Sequence, residues 1–163
     1  MSNYFDAIIF ATQTPYFPVE GLDILTPQLF RTAKYCCDKD LVILKTFLEY
    51  DPDNNKETFY QMINYINMLH RTIAVVFDSA ECLPTHDFEK IVMLDLLFVL
   101  AAIEIHLVKE NVVLMDMQNK DELKLWSVYT HTNPEQMEWV RDGIYLHRDL
   151  KLDLYHGLKT NLV

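Results

Sequence analysis

The sequence predicts an all-α fold: a single helical bundle of five to seven helices around a buried central helix at about 87–110, with an extended N-terminal arm. Three observations carry that expectation. The stretch Ile91 to Val108, IVMLDLLFVLAAIEIHLV, is apolar in almost every direction around a helix axis, as a helix buried among others is. Phe59, Met62, Ile63, Ile66, Leu69, Ile73, Val76 and Phe77 form one stripe at helical spacing, with Gln61, Asn64, Asn67 and Arg71 on the other side. Helix-start signals recur, as Thr26-Pro27, Asn119 with Glu122, and Asn133-Pro134 with Gln136.

Taken in order, residues 1–26 form the arm and residues 27–163 the helical core of one domain. The run Tyr4 to Ala11 is short enough to be a strand, but no pairing partner is obvious beside it. Pro15, Pro18, Gly21 and Pro27 keep the next stretch extended. Phe30, Ala33, Cys37, Leu41, Leu44 and Leu48 recur at three- and four-residue steps, predicting one helix from Pro27 to about Tyr50. The β-branched stretch Thr72 to Phe77 admits a strand as well as a helix. Leu83-Pro84 then ends the second helix, and Thr85 or Asp87 caps the central one. Short amphipathic pieces follow at Leu123, Trp126 and Tyr129, at Met137, Val140 and Ile144, and at Leu150, Leu154 and Leu158. The alternative architecture is a small α+β domain with 4–11, 72–77 and 112–117 as strands.

The central run does not read as a membrane span. Crossing needs about 20 predominantly apolar residues, and this run carries Asp95, Glu104 and His106. The chain has 163 residues and a formal net charge of -10. That balance argues against direct nucleic-acid or anionic-membrane binding, which rewards clustered Lys and Arg, and it suits a basic protein partner. The cysteines Cys36, Cys37 and Cys82 are odd in number and make no disulfide framework. Buried thiols in a reducing compartment are the reading, and the cytoplasm of a producing or host cell is the expected location.

Four local patterns resemble sites of chemistry. Asp51 to Asn55, DPDNN, opens like a calcium loop, but Lys56 and Met62 stand where the turn glycine and the bidentate Glu belong. His147 to Lys151 resembles the catalytic loop of protein kinases, with Leu154 in place of the magnesium-binding Asn and no glycine-rich loop in a chain of three glycines. Glu138 to Gly143, EWVRDG, resembles part of a homology motif of the apoptosis regulators, a resemblance that implies an all-helical fold. In that family the motif leads into the central helix, whereas here it follows it, with Tyr145 and Leu146 in place of the Trp-Gly pair. No binding residue is carried over from it. Asp149, Asp153 and His156 share one helix face at metal-ligand spacing, but beside an inward leucine line that face is the solvated one. Asp95 and His106 lie about three turns apart, roughly 16 Å along a helix, and do not meet.

The function expected is therefore a non-catalytic protein-binding domain, such as an inhibitor, an immunity-type antagonist or a host-modulating factor of a virus or mobile element. Its partner face is placed at Asp142, Asp149 and Asp153, with no catalytic, cofactor or metal residue assigned. A structural subunit of a larger assembly is one alternative. The other is an enzyme whose site is assembled only in the fold.

Overall fold

A computed structural model describes residues 5–13, 23–50, 57–69, 71–83, 97, 103–115, 120–130 and 135. Five strands and three helices of regular length alternate through these residues, and the architecture is α/β. Strand β1 (Phe5–Thr12) leads to helix α1 (Leu25–Asp38) and strand β2 (Leu41–Glu49). Helix α2 (Glu57–Leu69) leads to β3 (Ile73–Phe77), and a short 3-10 turn follows at Ala80–Cys82. Strands β4 (Ile103–Leu107) and β5 (Val112–Leu114) form a hairpin before helix α3 (Lys120–Thr130).

The strands make one sheet in the order β2-β1-β3-β4-β5. The first four run parallel, and β5 closes the edge antiparallel to β4. Because side chains alternate along a strand, each strand feeds two cores. Ile8 and Phe10, Ile73, Val75 and Phe77, and Ile105 and Leu107 face the larger core with Phe59, Met62, Ile63 and Ile66 of α2 and Trp126 of α3. Ala7, Ile9, Ala74 and Val76 face the smaller one with Cys36 of α1. Helices thus cover both faces, as a parallel sheet requires.

The all-α expectation is overturned, and the physical reason is specific. Strands buried on both faces read as continuous apolar runs, which is also how an all-round apolar helix reads. Residues 103–107 of the expected central helix are β4, followed by a turn in which Asn111 has φ 53. Between 87 and 102 only Leu97 is described, and it is helical and fully buried in the larger core. The expected helix from 27 to 50 breaks at Lys39-Asp40. Lys39 N–H donates to the Tyr35 carbonyl, and Asp40 takes φ 56, a left-handed turn that Asp tolerates better than bulkier residues. The inward face of α1 is Leu25, Gln28, Thr32 and Cys36, so Phe30 and Cys37 of the expected stripe point to solvent. Stretches 4–11, 72–77 and 112–117, the strands of the α+β alternative, hold β1, β3 and β5, but in a mainly parallel sheet. The N-terminal arm therefore contains a central strand. No helix of the described residues is long and apolar enough to cross a membrane.

Candidate functional site

Helix α1 packs on one face of the sheet and α2 on the other, so the chain reverses its winding at β1. In open α/β sheets the crevice outside the carboxyl ends of the strands, at such a reversal, is where ligands bind. Here that end carries Thr12 closing β1, Glu49 closing β2, Asp78 and Ser79 after β3, and Lys109 after β4. A crevice of about 330 Å³ opens there, lined by Gln28, Arg31, Asp78, Ser79, Cys82 and Lys109 together with Asp23, Ile24, Pro27 and Glu81.

Asp78 is the polar centre of this crevice. Its side chain is 3% exposed and takes Arg31 in a two-point pair, Nε to Oδ1 at 2.7 Å and Nη2 to Oδ2 at 2.8 Å. Lys109 Nζ stands 3.7 Å from Oδ2. Backbone bonds extend the β3–β4 register to bring Lys109 there, with Val108 N–H on the Phe77 carbonyl and Lys109 N–H on the Asp78 carbonyl. The carboxylate raises the Arg31 pKa further, chiefly through the hydrogen bond, so that guanidinium is permanently charged. Both cations keep about half their surface open, 44% for Arg31 and 51% for Lys109.

The floor is a chain of buried side-chain bonds. Gln28 of α1 behaves like a peptide group from a neighbouring strand: its Oε1 accepts from Thr12 N at 3.1 Å, and its Nε2 donates to the Thr12 carbonyl at 2.8 Å. Thr12 Oγ1 donates to Glu49 Oε1 at 2.7 Å, across the parallel register that pairs these residues. Cys82 Sγ lies 3.6 Å from Gln28 Oε1, and burial pushes its thiol up to about 11, so it is no thiolate nucleophile at neutral pH. Ser79 Oγ accepts from Glu81 N at 3.2 Å and caps the 3-10 turn, while Glu110 accepts from Ala80 N. Asp23 accepts from Leu25 N and Thr26 N, and α1 begins at Leu25, two residues before the start expected from a Thr26 cap. Those bonds, from Thr26 first, hold its carboxyl below the usual range.

A second polar cluster lies under α1, away from the crevice. Tyr35 Oη and His106 Nδ1 are 2.7 Å apart, and His106 Nε2 is 3.0 Å from Glu104. His106 is the residue that the sequence set in the central helix about three turns from Asp95. It sits instead on β4, and Asp95 lies outside the described residues.

The partner face Asp142, Asp149 and Asp153 also lies outside the described residues, as do Asp51 to Asn55 and the motifs at Glu138 to Gly143 and His147 to Lys151. No motif in the sequence marks Gln28, Arg31, Thr12, Glu49, Asp78 and Lys109, and Ser79 reads there as an ordinary position because no Gly-x-Ser-x-Gly elbow surrounds it. One signal would have found part of the set. The apolar run Ile73 to Phe77 breaks abruptly into Asp78-Ser79, and polar residues just past a fully buried parallel strand sit at the ligand-binding end of a sheet. Among the described residues no group of three His, Cys, Asp or Glu side chains has metal-binding geometry.

No known family and no curated protein matches the sequence. The fold, however, is similar to two solved structures. The N-terminal catalytic domain of TP901-1 integrase is matched at 13% identity with a TM-score of 0.58, over 82% of this chain and 98% of that one. A resolvase family site-specific recombinase from Streptococcus pneumoniae is matched at 9% identity with a TM-score of 0.56, over 96% of this chain and 97% of that one. Two expectations fall with this likeness. The expected helical inhibitor or antagonist falls with its helical bundle, since the fold resembles an integrase catalytic domain and a site-specific recombinase instead. The exclusion of nucleic acid also fails. It rested on net charge, a property of the whole chain, whereas phosphate contacts are local.

Proposed function

We propose that the chain is a DNA-recombination enzyme domain, acting on the phosphodiester backbone at the crevice formed by α1 and the turns after β3 and β4. The observation that carries this reading is the pairing of Arg31 and Lys109 on buried Asp78 at the switch point of a sheet shared with an integrase catalytic domain and a site-specific recombinase. A guanidinium offers several N–H donors in a planar fork, and only two of them are used on Asp78, so the outer ones are free in number to take phosphate oxygens. Lys109 adds a point charge beside it.

Breaking and rejoining DNA without an external energy source requires a covalent phosphoester to the protein. A hydroxyl oxygen attacks phosphorus, the bond to one deoxyribose oxygen breaks, and that oxygen leaves with a proton. Among the described residues, Thr12 and Ser79 bring hydroxyls to this end of the sheet. Thr12 already has a carboxylate, Glu49, bonded to its proton, and Ser79 lines the crevice itself. The cations would stabilise the charge that builds on the phosphoryl oxygens.

The chain is read as one domain working in the cytoplasm of a producing or host cell, where three free thiols persist. The test is incubation of the full chain with supercoiled plasmid, quenched in detergent. Nicked or relaxed plasmid that is lost in Arg31→Gln and Lys109→Gln supports the reading. Intact plasmid at every protein concentration, with no salt-dependent DNA binding, would sink it.

A further inference from the structure

The charges lining the crevice do not favour an anion as they stand. Asp23, Asp78 and Glu81 are three acids against two bases, Arg31 and Lys109. Asp78 is the acid that touches both bases from a buried position: it takes Arg31 in the two-point geometry by which an arginine fork also takes a phosphate, and Lys109 Nζ stands 3.7 Å from one of its oxygens. Its carboxylate therefore fills the donor positions that an incoming phosphate would use best.

We infer that Asp78 is an internal competitor for phosphate, one that fixes Arg31 and Lys109 in place and sets how weakly the crevice binds an anion. This rests on the reading of the crevice as a phosphate site. A phosphodiester engages the outer donors of Arg31 and Lys109 while Asp78 keeps the inner ones, or it draws the two cations outward. In either case the carboxylate opposes it by like-charge repulsion at close range. Asp78 thus acts as a specificity-determining residue: it rejects isolated phosphate and admits a ligand held by further contacts along its backbone.

The experiment is calorimetric titration of the full chain with inorganic pyrophosphate at fixed ionic strength. Asp78→Asn removes one negative charge and keeps one acceptor for Arg31. Its pyrophosphate affinity rises about tenfold or more over the parent, about 1.4 kcal/mol, and the gain disappears in the double variant Asp78→Asn, Arg31→Gln. Equal or weaker binding by Asp78→Asn would overturn the inference, as would a gain that survives loss of Arg31. If Asp78→Asn does not fold, the parent chain still decides by NMR. At saturating pyrophosphate the Arg31 guanidinium resonances, Nε–H and Nη–H together, include at least one that shifts if phosphate competes with Asp78, and a set in which none moves overturns the inference. A pyrophosphate gain without any duplex DNA binding upholds the role of Asp78 and counts against DNA as the ligand.

Discussion

Arg31 and Asp78 stand 47 positions apart in the chain and meet through two short hydrogen bonds of 2.7 and 2.8 Å. The pair ties α1 to the carboxyl end of β3, so the helix that supplies Gln28 and Arg31 is fixed against the strand that supplies Asp78 and Ser79. Breaking it leaves a buried carboxylate with Lys109 as its remaining cation. Arg31→Gln should therefore destabilise the fold by about 1.5–3 kcal/mol, the range for hydrogen bonds to charged groups, and at the low end because Arg31 is half open to water. Urea unfolding measures it, and an unchanged midpoint would show the pair to be ornamental.

Gln28 carries the end of β1. Gln28→Leu keeps the volume but orphans the Thr12 N–H and carbonyl in the interior, with a loss of roughly 1–3 kcal/mol for each group left unsatisfied. Gln28→Glu, which retains an acceptor for Thr12 N but loses the donor, should fall between. Stability equal to the parent in Gln28→Leu would mean that water replaces both bonds.

Thiol chemistry should follow burial. Cys36 and Cys82 are buried with thiols pushed up to about 11, whereas Cys37 is exposed. A maleimide at neutral pH should label Cys37 quickly and the other two only as fast as the chain opens. Three equal labelling rates in folded protein would contradict the packing of α1 and of the turn after β3.

His106 makes stability depend on pH. Burial lowers its pKa below the ordinary 6.5, and this outweighs Glu104, which raises it; Lys39 adds to the lowering. The unfolded chain therefore takes up the proton first as pH falls. The stability His106 contributes is complete above pH 6.5 and is lost as pH drops through its lower folded pKa. Urea midpoints taken from about pH 7 to about pH 5 should fall more steeply in the parent than in His106→Gln. Superimposable profiles would show that the Tyr35–His106–Glu104 chain does not depend on a neutral imidazole.

Leu97 is a fully buried helical residue in the larger core. Leu97→Ala should cost about 2–5 kcal/mol through lost burial and the cavity left behind. A loss well under that range would place Leu97 at a site able to collapse around the gap.

Which features were legible follows from the periodicities involved. Helix α2 is plain as far as Leu69, because Phe59, Met62, Ile63 and Ile66 face one side and Gln61 and Asn67 the other, but the expected helix runs on through Ile73, Val76 and Phe77, which are β3. Strands β1 and β3 were ambiguous, since five or six consecutive buried residues lack the alternation that marks a half-exposed strand. β2 misled most. Leu41, Leu44 and Leu48 fall at helical spacing partly because the register slips by one residue opposite Ala7 and Ile8, which shifts the side chains after Ile43. The crevice was illegible for a different reason. Its residues come from α1 and the turns after β3 and β4, with Gln28 bonded to Thr12 of β1, and only the parallel topology brings them together.

The central claim is that phosphodiester chemistry takes place at the carboxyl end of β1 and β3. Mapping the protein–DNA linkage tests it most directly: trap the plasmid reaction in detergent, digest protein and DNA, and identify the nucleotide-bearing peptide by mass spectrometry. The nucleotide should sit on Thr12 or Ser79 and be lost in the matching Thr12→Val or Ser79→Ala variant. A linkage on any residue other than Thr12 or Ser79, or plasmid cleavage that continues in the Thr12→Val, Ser79→Ala double variant, would contradict it.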